Sequence, residues 1–250
     1  MKTNQERKTM YTQEHPIAIV GAMQSEVKLL LEAMEERVEK QSCGMVFHSG
    51  KLDGKPVVVM ECGIGKVNAA RCVQAVIDNF APGAVINTGI AGGIGNGLHV
   101  GDVVVSQSLV MHDFDLSPLG NYVRGALPGS VNTMEPTYIK ADDAIREALV
   151  AAANAVVPGR GVRSGVIVSG DVFVSGKELK QELASRYHAD AAEMEGAAVA
   201  QVAQLSGVPF AVLRVVSDLA DGTAPESFAT FELETASLSS KIVRKFLQMV

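Results

Sequence analysis

The feature that most limits how this chain can fold is its alternation of short apolar runs with stretches of helical spacing. Ile17 to Met23 is an apolar run of strand length, and Val27, Leu30, Leu31 and Met34 then recur at helical intervals. Val46 to Leu52 and Val57 to Glu61 flank Asp53-Gly54, the pattern of a β-hairpin. Val67, Ala70, Val73, Ile77 and Phe80 predict the inner face of a second helix, and strands are expected at Ala84 to Thr88 and Asp102 to Val110. Helix is then expected over Ala141 to Val156, strand over Val162 to Val174, helix over Lys177 to Tyr187 and a short strand over Ala189 to Met194. Ala197 to Leu205 reads as helix and Phe210 to Ser217 as a buried strand. Phe228 to Met249 closes the chain as a helix with Leu238, Ile242, Phe246 and Val250 on one face. This alternation predicts an α/β protein, a three-layer α/β/α arrangement whose central sheet is largely parallel and made mixed by the early hairpin. The 250 residues contain no repeat or linker, so one domain over 17–250 is expected, after a polar tail over 1–16 with no signal-peptide core.

Composition removes several classes of function. The net charge is −6 and the lysines and arginines are dispersed, which argues against nucleic acid as a partner. No apolar run is long enough to span a membrane. Cys43, Cys62 and Cys72 form no C-x-x-C pair, which favours reduced thiols in a cytoplasmic setting. His112-Asp113-Phe114-Asp115 has no second ligand cluster to complete a metal site. Gly63-Ile64-Gly65-Lys66 looks like the end of a phosphate loop, but Met60 stands where the first glycine is needed and Val67 replaces the magnesium-binding hydroxyl. Gly89 to Gly95 is not in the first strand-to-helix turn, so it is a weak dinucleotide fingerprint. No cofactor is expected. Both glycine segments read as tight turns, or as backbones that approach a sugar where side chains would collide. The stretch from His112 to Tyr138, rich in Gly, Pro, Asn and Ser, is long for a connection and is expected to be functional or interfacial.

Three acidic positions lie just beyond expected strand ends: Glu26, the pair in Glu193-Met194-Glu195, and Asp218 in Ser217-Asp218. Ligands of open α/β sheets bind at that edge. Carboxylates gathered there suggest acid/base work on a neutral substrate. Taken singly, each has a plain alternative as a first-turn or capping acid.

Seven stretches resemble the 5′-methylthioadenosine/S-adenosylhomocysteine nucleosidases of the nucleoside phosphorylase superfamily. They are I-A-I-V-G-A-M-Q-S-E-V from Ile17, G-I-G-K-V-N-A-A from Gly63, N-T-G-I-A-G-G from Asn87, V-G-D-V-V-V-S from Val100, S-G-D-V-F-V from Ser169, A-A-E-M-E-G-A-A from Ala191 and V-P-F-A-V-L-R-V-V-S-D from Val208. The resemblance implies hydrolysis of an N-glycosidic bond to adenine, through protonation of the leaving purine and attack of water on a ribose with cationic character. It implies that Asp218 is the general acid and Glu26 the base for water. The apolar run before Asp218 is expected to raise its pKa by desolvation, and the helix start at Glu26 to favour the anion, so the two are expected to shift in opposite directions.

The resemblance further implies that Glu195 holds the ribose hydroxyls, Glu193 orients it, Met194 packs on the sugar and Arg214 helps hold water and sugar. Phe173 stacks on adenine and Val174 reads its edge, while Ala91, Gly92 and Ser217 line the site. Met23, Ile64 and Phe228 form the 5′ pocket, closed in a homodimer by Leu116, Leu119 and Pro128 of the partner's 112–138 segment. Two departures stand out, Ile90 where many relatives have serine and Leu119 where an aromatic is common. A carboxylate at Glu26 favours water over phosphate as nucleophile. Aminodeoxyfutalosine hydrolysis and non-catalytic nucleoside binding are the competing functions.

Overall fold

A computed structural model of the chain describes Thr12 and residues 14–250; the remainder of the expected tail lies outside the described residues. The elements run β1 (Ile17–Gly21), α1 (Gln24–Ala33), β2 (Glu35–Ser42), β3 (Met45–Leu52), β4 (Lys55–Glu61), α2 (Lys66–Phe80), β5 (Ala84–Gly93) and β6 (Val103–Met111). They continue with β7 (Ile139–Lys140), α3 (Asp143–Val156), β8 (Val162–Ser169), α4 (Lys177–Tyr187), β9 (Ala189–Glu193), α5 (Gly196–Leu205), β10 (Phe210–Asp218) and α6 (Ala224–Met249).

All strands join one mixed sheet in the order β10-β6-β8-β9-β5-β1-β4-β3-β2, with β7 on β6. β10 also pairs with β5, so five strands close on themselves and the other four extend outward from β5. β1 lies between β4 and β5, parallel to both, and all five of its residues are buried. That is why it reads as a continuous apolar run without alternation. α1 and α3 pack on α6, while α2 packs on α5, so helices form two separate groups around the sheet. Ile242 and Phe246 of α6 are fully buried.

The expected hairpin is present: β3 and β4 are antiparallel, and Asp53 and Gly54 both have positive φ, as a two-residue primed turn requires. Four details differ from the sequence reading. β2 was not expected; it is a charged, exposed strand paired only to β3, with no apolar alternation to reveal it. Val67 is 78% exposed, and the buried face of α2 is carried by Ala69, Cys72, Val73 and Val76. Gly89 to Gly93 is not a turn but the end of β5, which runs through the glycines. β8 stops at Ser169, leaving Gly170 to Gly176 irregular, so Phe173 sits in a loop. Between residues 112 and 138 the only helical turn is a short 3₁₀ segment at Ser117–Leu119.

Candidate active site

The carboxyl-terminal ends of β1, β5, β9 and β10, with the loops after β4 and β8, surround a cavity holding about 590 Å3 of empty space, part of it open solvent. Glu26, Glu195 and Asp218 all face it.

Glu26 is the third residue of α1 and folds back on the turn before it. Its Oε2 accepts the N–H of Ala22 at 2.6 Å and of Met23 at 3.1 Å, the return half of a capping box. Its Oε1 accepts the N–H of Ile90 on β5 at 3.0 Å. The side chain thus ties the first strand–helix turn to the centre of the sheet. Gly89 makes room for it: a Cβ there would lie 2.3 Å from Glu26 Oε1.

Asp218 ends β10 opposite Gly92. Its Oδ1 accepts the N–H of Ala220 at 2.8 Å and its Oδ2 the hydroxyl of Ser217 at 2.9 Å. Lys180 Nζ donates to the carbonyl of Leu219 at 2.6 Å and holds the turn that follows.

Glu193 ends β9 and caps α5. Its Oε2 accepts the N–H groups of Glu195 at 3.1 Å and Gly196 at 2.7 Å, while its Oε1 takes the Ser169 hydroxyl and its Oε2 the Arg214 guanidinium. Glu195 Oε1 accepts the N–H of Gly65 at 2.8 Å, and its Oε2 lies 3.8 Å from Arg214. Met194, between the two acids, also lines the cavity.

Arg214 differs from the sequence reading. It does not line the cavity but lies behind the acids, 1% exposed, with its guanidinium on Glu193 and on Asn87 Oδ1 at 2.6 Å. Asn87 is in turn held by the Val20 carbonyl at 2.9 Å. A buried cation can sit there because carboxylates surround it.

Burial is the main cause raising the pKa of Glu26, against Arg214 and three N–H donors that favour the anion. Burial also raises Asp218, again against its hydrogen bonds. The expected opposite shifts are therefore not found. The Glu26 side chain is itself buried and tied to Ile90 of β5, so desolvation outweighs the helix dipole there. Glu195 is pushed up to about 7 by burial and then by the neighbouring Glu193 charge, with Arg214 opposing.

The other expected lining residues are also brought together. Phe173 and Phe228 meet edge to face, with centroids 5.7 Å apart. Val174, Ile64 and Met23 complete the apolar walls, and Ala91, Gly92 and Ser217 line the cavity near Asp218. Ala22, Ile90, Val172 and Ala192 line it as well. Ile90 is the departure from relatives noted in the sequence; Ala22, Val172 and Ala192 are not among the expected contacts, because small and aliphatic side chains carry no chemical signal. Leu116, Leu119 and Pro128 do not line this chain's cavity; Leu119 is 67% exposed.

The model of the phosphorylase superfamily matches residues 16–248. The chain is 41% identical to a 5′-methylthioadenosine/S-adenosylhomocysteine nucleosidase of Actinobacillus succinogenes over 230 residues, covering 91% of this chain and 96% of that protein. The chain belongs to this nucleosidase family. The nucleosidase of Geobacillus thermodenitrificans is 40% identical over 93% of this chain and 96% of its own length. Among solved structures, the Neisseria meningitidis nucleosidase in complex with methylthio-immucillin-A superposes with a TM-score of 0.87 at 39% identity, covering 94% of this chain and 99% of that one. Futalosine hydrolase of Helicobacter pylori gives 0.86 at 35% identity, covering 94% and 98%. Like those relatives, this nucleosidase is an α/β enzyme that cleaves N-glycosidic bonds.

Proposed function

We propose that the chain hydrolyses the N-glycosidic bond of 5′-methylthioadenosine and S-adenosylhomocysteine, releasing adenine and the 5′-thio-substituted ribose. The observation that carries this reading is one cavity that joins Glu26, Glu195 and Asp218 beneath an aromatic wall, with no lysine or arginine lining it among the described residues. A phosphorolytic site needs cationic donors for phosphate, and a carboxylate in that place repels it.

In this mechanism Asp218, whose proton affinity burial raises, gives its proton to N7 of adenine. The C1′–N9 bond breaks as positive charge grows on the ribose. Glu26 takes a proton from water, whose oxygen bonds to C1′. Glu195 accepts from the ribose hydroxyls and opposes the positive charge on the sugar. Glu193 and Arg214 fix Glu195 from behind. Phe173 stacks on the purine, and Met23, Ile64 and Phe228 receive the 5′-thioalkyl group. Residues 17–250 act as one domain in a cytoplasmic homodimer, whose 112–138 segment closes the partner's 5′ pocket, in a step of methionine salvage. The likeness to futalosine hydrolase favours a second reading, aminodeoxyfutalosine as substrate.

The test is adenine release from all three nucleosides in phosphate-free buffer. Asp218→Asn is expected to lose about 10²-fold or more in kcat with the fold intact. Glu26→Gln is expected to bind substrate and hydrolyse it poorly. Near-normal turnover by Asp218→Asn, or a requirement for phosphate, would refute the reading.

A further inference from the structure

The loop that carries Phe173 is packed at Val174, which is buried, and through the contact of Phe173 with Phe228, but its tip is open. Gly170 to Gly176 is irregular, and Val172 and Phe173 are 43% and 44% exposed. Its exposed start is tied down by an ion-pair cluster beside the cavity, built from three segments. Asp171 donates its N–H to Asp113 Oδ2 at 2.9 Å, and its Oδ1 accepts the N–H of Lys66 at 2.9 Å. Lys66 Nζ lies 2.5 Å from Asp113 Oδ1 and 3.7 Å from Asp171 Oδ2. The Lys66 and Asp113 side chains are largely shielded, at 19% and 20% exposure.

The position of Lys66 points to a tertiary reason for it. It is the first residue of α2, where the helix dipole disfavours a cation. That local cost is offset by Asp113, from the loop after β6, and Asp171, from the loop after β8. The preceding residue, Gly65, has φ +98°, and a Cβ there would lie 3.1 Å from Asp171 Oδ1. Its N–H is the one that reaches Glu195. Lys66 therefore connects the acid assigned to the ribose with the loop assigned to the purine, and Ile64 of the 5′ wall is two residues away.

We infer that Lys66, Asp113 and Asp171 are positioning residues: a rim clamp that presets the Phe173 wall, so that nucleoside binds to an ordered site. None of the three lines the cavity, so the clamp acts on substrate binding through the loops, not on bond breaking. Removing the lysine leaves two carboxylates facing each other, and their repulsion opens the loop. The assignment to ribose and purine rests on the function proposed above; the clamp itself rests on the contacts.

Lys66→Met and Lys66→Arg separate these points. Lys66→Met is expected to raise KM for 5′-methylthioadenosine about tenfold with kcat within about threefold of the parent, because binding is lost and chemistry is not. Lys66→Arg keeps the charge and is expected to recover most of the loss. Amide hydrogen exchange without ligand is expected to quicken over residues 170–176 in Lys66→Met and to stay slow elsewhere in the sheet. Unchanged exchange over 170–176, or a fall in kcat at unchanged KM, overturns the clamp. If the parent protein releases no adenine, the proposed function fails and the exchange measurement still decides the clamp.

Discussion

Arg214 is the residue on which the acidic site depends. It brings one full positive charge to Glu193 and Glu195 and a longer-range field to Glu26, all out of water. Removing one member of such a buried group leaves the others uncompensated. Arg214→Met is expected to lower stability by about 3–5 kcal/mol in urea unfolding at neutral pH. The loss is expected to be smaller near pH 5, because burial raises Glu26 and Glu195 and lets them take up protons more readily. Glu195 makes a second prediction. Its folded pKa of about 7 lies above the 4.5 of an ordinary glutamate, so the native state holds this proton more tightly than the unfolded chain. Its contribution to stability is therefore full below about pH 4.5 and is lost as pH rises towards 7. Glu195→Gln is expected to flatten that slope, and an unchanged slope in denaturant midpoints across this range would show that another group sets it. By resemblance, the sequence reads Arg214 as a contact to water and sugar. Only the folded register puts it behind Glu193, out of the cavity.

At the scale of elements, the site depends on where strands end and what the first helical turn does. Glu26 is placed by two facts legible in the sequence, a buried apolar run and the helical spacing after it. The partner that fixes its other oxygen, Ile90 N–H, was not legible, because the glycine run reads as a turn. It continues as strand because β10 pairs alongside it up to Gly92. Gly89→Ala pushes a methyl group onto Glu26 and is expected to cost about 1–3 kcal/mol in stability. It is also expected to lower kcat far more than it changes KM, since the base is displaced. Equal kcat for Gly89→Ala and the parent would remove Glu26 from the reaction. The helix from Lys177 to Tyr187 has the bounds its spacing predicts, whereas β2 has no such signal. An exposed, charged edge strand buries no face, so no periodicity records it.

The whole molecule gathers its chemistry by closing part of its sheet. β10 touches both β5 and β6, which brings Asp218 to the glycine end of β5 and so towards Glu26, residues 192 positions apart by their numbering. The exposed Leu119 and the long 112–138 segment lie outside this chain's cavity; the dimer proposed above assigns them to the partner's site. In that dimer Leu119→Glu sets a charge in the partner's apolar 5′ pocket. KM for 5′-methylthioadenosine is expected to rise about tenfold, roughly 1.4 kcal/mol. Sedimentation showing a fully active monomer would end the dimer reading.

The sequence by itself determined the α/β class, most element positions and the acids that face the cavity. Those follow from local quantities: hydropathic period, turn residues and short motifs that one stretch of chain carries whole. Tertiary structure alone decided that both Glu26 and Asp218 are shifted upward, that Arg214 stands behind the acids, and that Lys66 joins Asp113 and Asp171. Each of these depends on burial or on partners from distant segments, and desolvation has no signature in the order of residues.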